Sequence, residues 1–273
     1  MNADVEAMLA RRHDQGADYW STPDGRLYKG SPFSTLTSLL VLHELGVPAG
    51  HEAVRGGIAL ILDACRDDGR IRLAPGAPLY PCYTAEAARV LCRYGLERDE
   101  PVLRTVGYLL GSVHETGGWR CSFTRFGRGP ETELANPGAT LFALDVLRFH
   151  EELREGRDDV DRSVESLLDH WEVRSPVGPC HYGIGTLFMQ VEFPFLRYNL
   201  FHWVYVLSFF GRAREDRRFQ EALEVLGEKR TAEGEMVVER PHRRLKDLDL
   251  CAEGRPSVQA TARYGEIEEN VGT

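Results

Sequence analysis

The sequence predicts an all-α fold, an α/α toroid in which about five helical hairpins stand around one axis. Three observations predict it: a glycine turn that recurs along the chain, an amphipathic segment before each turn, and a more apolar segment after it. Each unit then has a polar outer helix and an apolar inner helix, and an apolar helix is buried by its neighbours. An open α-solenoid built from the same units is the alternative. Residues 1–273 are expected to form a single domain.

The recurring turn is clearest in the first two units. Asp24-Gly25-Arg26-Leu27 returns as Asp68-Gly69-Arg70-Ile71. Altered copies follow at Gly117-Gly118-Trp119-Arg120, Val177-Gly178-Pro179-Cys180 and Glu233-Gly234-Glu235-Met236. With Gly118 taken as the equivalent glycine of the third copy, the turns are 44 to 60 residues apart. This spacing fits a two-helix unit with a loop of variable length.

The segments around these turns are predicted in pairs. The outer helices are expected at roughly 2–15, 51–65, 100–113, 157–171 and 214–229. The inner helices are expected at roughly 33–46, 82–95, 137–149, 194–211 and 256–269. A proline stands at or just before each inner start, where its missing N–H costs little. Gly46, Gly95 and Gly211 are expected to end three inner helices.

Composition restricts the function classes. Lys and Arg number 33 against 42 Asp and Glu, so the net charge of -9 argues against nucleic-acid binding. The sequence contains no run of about 18 apolar residues, so no membrane-spanning helix is predicted. The N-terminus lacks a signal-peptide core, so we expect a cytoplasmic protein with reduced thiols. The expected partner is a small-molecule or peptide substrate, and the sequence leaves the oligomeric state open.

The repeat resembles the prenyltransferase/squalene-oxidase repeat. Gly117-Gly118-Trp119-Arg120-Cys121 is the clearest copy of its turn, and the segment from Tyr83-Thr84 to Tyr94-Gly95 is a typical inner helix. The resemblance covers most of the chain at the level of repeats. It implies an α/α toroid with a cavity along the ring axis, as in terpene cyclases and the β subunits of protein prenyltransferases.

The chain departs from that family in its acidic motifs. The Asp-x-Asp-Asp motif of class II terpene cyclases does not occur, because Asp158-Asp159-Val160-Asp161 has a different order and lies on an outer helix. The Asp-Asp-x-x-Asp motif of ionising synthases is also missing, since position 162 is Arg. The resemblance therefore predicts a fold and a cavity, and it leaves the chemistry open.

A zinc site is predicted where the inner helices begin. Cys82, Cys121 and Cys180 stand at or near three such entrances, and His181 follows Cys180 directly. Thiolate sulfur and imidazole nitrogen are the ligands that Zn²⁺ prefers. The site also resembles that of lanthionine-forming cyclases, whose zinc is held by a Trp-Cys loop and a Cys-His-Gly pair. Four ligands indicate structural zinc, whereas a set without Cys82 leaves one position open for chemistry. Buried thiols without metal are the alternative.

Ionisable residues in apolar helices are the candidates for catalysis. Glu86 and Asp145 lie in inner helices, and His202 lies in the aromatic fourth one. Such groups are either paired or poised for proton transfer. Asp145 and Arg148 form an i,i+3 pair, which favours a structural role for that acid.

A substrate pocket is predicted beside the third turn and the fourth inner helix. Its candidate lining residues are Trp119, Arg120, Tyr198 and Trp203. Aromatic faces attract apolar or cationic ligands, although such rings also serve as plain core packing. Cys65, Cys92 and Cys251 are expected only to pack.

These observations together predict a metal-dependent enzyme, similar to a cyclase or transferase. It would modify an apolar small molecule or peptide in a central cavity, by cyclisation, isomerisation or group transfer. The alternative is a non-catalytic toroid with a structural zinc, whose cavity or rim binds a partner.

Overall fold

The structure, a computed structural model, describes residues 2–120, 134–177, 180 and 182–272. Within these ranges the chain forms twelve α-helices, one short 3-10 helix and two strands of two residues each. The α-helices in chain order are α1 Ala3–Ala10, α2 Thr35–Glu44, α3 Glu52–Asp63, α4 Pro81–Arg93, α5 Glu100–Gly111, α6 Pro137–Leu147, α7 Glu151–Arg154, α8 Asp158–Val173, α9 Leu200–Leu207, α10 Gly211–Arg214, α11 Arg217–Gly227 and α12 Val258–Gly272. The 3-10 helix spans Asp249–Cys251, and the antiparallel strands are β1 Val237–Val238 and β2 Arg255–Pro256.

The helices are arranged in two concentric layers. Helices α2, α4, α6, α9 and α12 form the inner layer, in which each helix contacts the next. The outer helices α3, α5, α8 and α11 each contact the preceding inner helix, and α1 contacts α2. Inner helices are buried almost all round, as the apolar runs at 39–42 and 204–207 predict. The outer helices bury one face only, as amphipathic segments should.

Contacts between the two ends of the chain close the ring. Arg263 on α12 forms an ion pair with Glu44 on α2 at 2.8 Å, so the last inner helix meets the first. Near the N-terminus, the Asp4 carboxylate accepts hydrogen bonds from the backbone N–H groups of Asp249 at 3.0 Å and Leu250 at 2.7 Å. The fold is therefore an all-α toroid of five hairpins rather than an open solenoid, which confirms the predicted fold class.

The glycine turns share one backbone geometry. The equivalent glycines have φ between 75° and 88°, a left-handed conformation that glycine adopts without steric cost, and they are Gly25, Gly69, Gly117 and Gly234. Each donates its N–H to the carbonyl three residues earlier. In the third turn this glycine is Gly117, so the alignment on Gly118 was wrong by one residue. The predicted turn at Gly178 lies outside the described residues.

A threonine on the inner helix holds three of these turns. The residue two positions after the glycine donates its backbone N–H to the hydroxyl oxygen of the fourth residue of the inner helix. The pairs are Ile71 with Thr84 at 3.2 Å, Trp119 with Thr140 at 3.1 Å and Met236 with Thr261 at 2.9 Å. The turns are thereby fixed to the starts of α4, α6 and α12, and their side chains gather at one end of the ring.

The inner helices begin close to the predicted positions, with one exception. Pro81 and Pro137 are the first residues of α4 and α6. The fourth inner helix begins at Leu200 instead of 194, because the Asn199 side chain accepts a hydrogen bond from the backbone N–H of His202 and caps the helix there. Gly211 opens α10 and does not end α9, so that prediction was wrong. In the described part of the chain, no helix is long and apolar enough to cross a membrane.

Candidate functional site

The first element of the candidate site is a fully buried ion cluster between α4 and α6. Asp145 on α6 is 0% exposed and accepts hydrogen bonds from three guanidinium groups. Arg93 reaches both of its oxygens, at 2.8 and 3.1 Å, Arg148 lies 2.8 Å away and Arg89 lies 3.3 Å away. The predicted pair of Asp145 with Arg148 is therefore present. Burial alone raises the pKa of Asp145, but its interactions with Arg93, His202 and Arg148 hold that pKa well below the usual range.

His202 on α9 completes this cluster. Its Nε2 atom lies 3.3 Å from Asp145 Oδ2 and 3.4 Å from Arg89 Nη1, and its ring stacks on Phe195 with centroids 5.0 Å apart. Burial lowers the pKa of His202 to about 4, although Asp145 raises it. The imidazole is therefore neutral near pH 7.

The second buried acid, Glu86, has no such partners. Glu86 on α4 is 3% exposed, and within the described residues its carboxyl group forms no hydrogen bond or ion pair. Burial raises the pKa of Glu86 to about 7, an effect that the charge of Arg89 opposes only in part. Residues three and four apart share a helix face, so Glu86 lies on the same face as Cys82 and Tyr83.

A set of tyrosines lies at or before the starts of three inner helices, α2, α4 and α9, and we call it the tyrosine collar. It consists of Tyr28, Tyr80, Tyr83, Tyr182 and Tyr198. The ring centroids of Tyr28 and Tyr83 lie 5.1 Å apart, those of Tyr80 and Tyr83 5.6 Å apart, and those of Tyr182 and Tyr198 5.4 Å apart. All five side chains keep part of their surface exposed. The collar is therefore partly accessible to solvent.

The collar brings four hairpins together. Tyr28 comes from the first hairpin, Tyr83 from the second and Tyr182 from the fourth. The ring of Tyr182 packs on Gly138 of the third hairpin so closely that a Cβ atom there would lie 2.6 Å from its Cζ. The charge of Glu86 is the largest of several causes that raise the pKa of Tyr28. Groups that are distant in sequence thus influence one another in this part of the fold.

Two of the four predicted zinc ligands, Cys82 and Cys180, lie among the described residues. Cys82 lies on α4 one turn before Glu86, and it also contributes to the raised pKa of Tyr28. Cys180 is exposed and stands two residues before Tyr182. Cys121 and His181 lie outside the described residues. Among the residues that are described, no three or more His, Cys, Asp or Glu side chains gather into a metal-binding group. The zinc site stays a prediction.

Two of the predicted pocket residues lie between the helical layers and not at the collar. Trp119 is fully buried, and its indole N–H donates a hydrogen bond to the carbonyl of Leu109 on the outer helix α5 at 2.9 Å. Trp203 is also fully buried, with ring centroids 5.7 Å from Trp171 on α8 and 6.3 Å from Phe219 on α11. Both indoles join the inner layer to the outer one.

The other two predicted pocket residues keep part of their surface exposed. Tyr198 belongs to the collar, and its hydroxyl group lies 2.8 Å from Nδ1 of His170. Arg120 is exposed, with Nη2 2.7 Å from Nε2 of His114. Of the four candidates, Tyr198 is the one that the described structure brings next to Tyr182.

Sequence reasoning missed most of the collar. Tyr28, Tyr83 and Tyr182 were not proposed as site residues, although each follows a glycine turn or stands at the start of an inner helix. That position was the available signal, because a closed ring brings all such starts to one end.

The remaining described cysteines pack as predicted. Cys92 is 2% and Cys251 is 0% exposed, and Cys65 is half-buried. Burial raises their pKa values, to about 11 for Cys65 and to about 12 for Cys92 and Cys251. These thiols therefore stay protonated near pH 7 and are poor nucleophiles.

Comparisons with known proteins give weak structural likenesses. No family model and no curated protein matches the chain. Among solved structures, it is similar to the type II terpene cyclase MstE from Scytonema, in complex with the product merosterolic acid A and in the apo form. In both cases the identity is 13% and the TM-score 0.35, over 98% of this chain and 95% or 96% of the other. A likeness of this size carries no information on the reaction, and the fold class follows from the helix contacts described above.

Proposed function

We propose that this chain is an enzyme that moves a proton on an apolar small molecule held at the ring axis, in an isomerisation or a cyclisation. Glu86 is the group that gives and takes the proton. The observation that carries the proposal is the placement of this carboxyl group, which is buried, has no hydrogen-bond or ion-pair partner among the described residues, and shares a helix face with Tyr83 of the collar.

The environment of Glu86 suits general acid–base catalysis. With a pKa of about 7, the carboxyl group is populated in both protonation states near neutral pH. In the acid form it transfers its proton to a carbon or oxygen atom of the substrate. The resulting carboxylate removes a proton from a neighbouring carbon atom, so the product has the composition of the substrate and Glu86 regains its proton. The surrounding rings keep water away from the positive charge that develops between these steps.

Asp145 and His202 are assigned an indirect role in this proposal. Both contact Arg89, which lies one helical turn from Glu86 on α4. They hold the guanidinium in place, and its positive charge lowers the free energy of the Glu86 carboxylate. We therefore regard Asp145 and His202 as positioning residues.

Deuterium incorporation tests the proposed reaction without a known substrate. A metabolite mixture is incubated in D₂O with the wild-type chain, with Glu86→Gln, or with the surface variant Glu253→Gln, and is then analysed by mass spectrometry. We expect compounds that gain deuterium or change to an isomer with wild type and Glu253→Gln and stay unchanged with Glu86→Gln. Exchange that persists in folded Glu86→Gln would remove Glu86 from the reaction.

A zinc centre at the collar is the second candidate. Cys82 and Tyr182 both contribute to the raised pKa of Tyr28, so the start of α4 and the loop that contains Cys180 share one neighbourhood. This supports the proposal that Cys82, Cys121, Cys180 and His181 bind one Zn²⁺. With all four ligands the metal would be structural, and the chain could be a non-catalytic toroid that binds a partner. With three, one position would remain for a substrate or water.

Elemental analysis of the purified protein tests the metal proposal. We expect one zinc per chain in the wild type and in Cys92→Ala, which removes a buried thiol away from the collar. Cys180→Ala should lose the metal. Zinc that survives Cys82→Ala would support the three-ligand site, and a wild-type protein that takes up no zinc from zinc-supplemented buffer would end the proposal.

A further inference from the structure

We propose that the region between Glu86 and the tyrosine collar binds an organic cation, an ammonium or quaternary ammonium group of the substrate. This inference rests on the proposed function, because it assigns one cationic group to the otherwise apolar substrate of the same site. It is carried by two features of the described residues: the ring faces of the collar and the absence of any counter-charge within hydrogen-bond distance of Glu86.

The first argument is the number of aromatic rings at one place. Tyr28, Tyr80 and Tyr83 form a chain of ring contacts with centroids 5.1 and 5.6 Å apart, and Tyr182 packs on Gly138. The face of an aromatic ring carries partial negative charge, and a cation within about 6 Å of its centroid is attracted to it. Several rings around one opening are the usual way in which proteins bind quaternary ammonium groups.

The second argument is the distribution of polar groups. The groups whose charges raise the pKa of Tyr28 are the Glu86 carboxyl, the Cys82 thiol and two phenols, which are hydrogen-bond acceptors or weak acids. The positive group that opposes the Glu86 charge is Arg89. Its Nη1 contacts Asp145 and His202, and its guanidinium lies 4.4 Å from the ring centroid of Phe142. The ionised Glu86 carboxylate would therefore repel an anionic ligand and attract a cationic one.

The third argument is energetic. Glu86 is 3% exposed, and a carboxyl group in such a residue without a partner is unfavourable in its charged form, because the interior solvates charge poorly. A cation seated inside the collar would supply the counter-charge that the described residues do not. This counter-charge lowers the free energy of the ionised form of Glu86, which is the form that takes a proton from the substrate in the proposed reaction.

Choline and its uncharged carbon analogue 3,3-dimethyl-1-butanol form the matched pair of probes, since they share a shape and differ in charge. Isothermal titration calorimetry on the full chain at pH 8 measures both. We expect choline to bind at least about tenfold more tightly than the analogue. Glu86→Gln should weaken choline about tenfold or more and leave the analogue unchanged, because the substitution removes charge and keeps the shape.

Substitutions at Tyr28 distinguish the contribution of its aromatic ring to choline binding from that of its hydroxyl group. Tyr28→Phe keeps the ring face and should keep choline binding within about twofold, whereas Tyr28→Leu should weaken it about fivefold. Glu253→Gln on the surface is the control and should bind choline as the wild type does. Circular dichroism melting shows that each variant is folded before it is titrated.

Three results would overturn the proposal: equal affinity for choline and its analogue, unchanged choline affinity in folded Glu86→Gln, or no choline binding by the folded wild type. These results are independent of the deuterium experiment. Loss of exchange in Glu86→Gln without choline binding would leave the proton-transfer function standing and remove the cation. Choline binding without any deuterium exchange would leave the cation site standing and remove the proton-transfer function.

Discussion

Two acids of the inner ring are equally buried and have opposite surroundings. Asp145 is 0% exposed and contacts Arg89, Arg93, Arg148 and His202. Glu86 is 3% exposed, and in the described part of the chain no side chain pairs with it. The pKa of Asp145 is held well below its usual range, whereas that of Glu86 is raised to about 7. Burial is the same in both cases, so the partners decide the protonation state.

This difference distinguishes an acid with structural partners from an acid that is a candidate for function. Asp145 joins α4, α6 and α9 through charge-assisted hydrogen bonds, and its removal would leave several guanidinium groups buried without a counter-charge. Among the described residues, Glu86 connects no two helices by a hydrogen bond or an ion pair. It lowers the stability of the fold whenever it is ionised. A group that is unfavourable for folding and lies at an opening is a candidate for binding or catalysis.

The largest expected effect is on the stability of Asp145→Asn. The substitution keeps the shape and removes the charge that three arginines share, so we expect a loss of about 3–5 kcal/mol in the free energy of unfolding. Urea denaturation at pH 7 measures it, with the exposed Asp247→Asn as control. A loss below about 1 kcal/mol would show that the cluster does not depend on this charge.

Glu86→Gln should increase the free energy of unfolding, and the size of the increase should depend on pH. The folded state holds the Glu86 proton more tightly than the unfolded state, because its pKa is raised from 4.5 to about 7. The free energy of unfolding of the wild type therefore falls as the pH rises from about 4.5 to 7, and the whole loss, about 3 kcal/mol, is present above pH 7.

Unfolding of the wild type and of Glu86→Gln at pH 4, 6 and 8 separates this effect. The two proteins should have similar stabilities at pH 4, and the variant should be more stable by up to about 3 kcal/mol at pH 8. The titratable groups that interact with Glu86, Tyr28 and Arg89, keep their charges over this range, so the difference reports on Glu86. A difference that does not change with pH would contradict the raised pKa.

The smallest effect is expected at Arg89, the residue between the two acids. Its Nε and Nη2 atoms are buried and have no hydrogen-bond partner among the described residues, and Asp145 keeps Arg93 and Arg148 without it. Arg89→Met should therefore cost about 1 kcal/mol or less, whereas Arg93→Met, which removes a two-oxygen contact, should cost about 3 kcal/mol. Urea denaturation of both variants tests this order, and equal losses would contradict it.

The helical layout could be predicted because its signals are local. Prolines at 81 and 137 begin α4 and α6, and glycines with positive φ at 46 and 95 follow the ends of α2 and α4. Apolar periodicity separates the buried inner helices from the amphipathic outer ones. The start of α9 was missed by six residues, because an aromatic-rich segment after Pro194 looks helical and the cap at Asn199 decides the boundary.

The site was harder to predict because its two buried acids have different surroundings, which the sequence does not show. Glu86 and Asp145 both appear in the sequence as single acids in apolar helices, and the i,i+3 spacing of Asp145 and Arg148 is the one local sign of a difference. Trp119 and Trp203 look like pocket residues, yet they lie between the layers because an indole fills the wide gap between an inner and an outer helix.

The sequence by itself determined the class of fold, the repeat and the order of inner and outer helices, since caps, glycine turns and apolar faces act over a few residues. Tertiary structure alone decided that the ring closes through Arg263 and Glu44, and that Asp145 is paired while Glu86 is not. The partners of Asp145 on α4 lie 52 and 56 residues away in the chain, so helix packing, and not spacing, sets the charge that each acid meets.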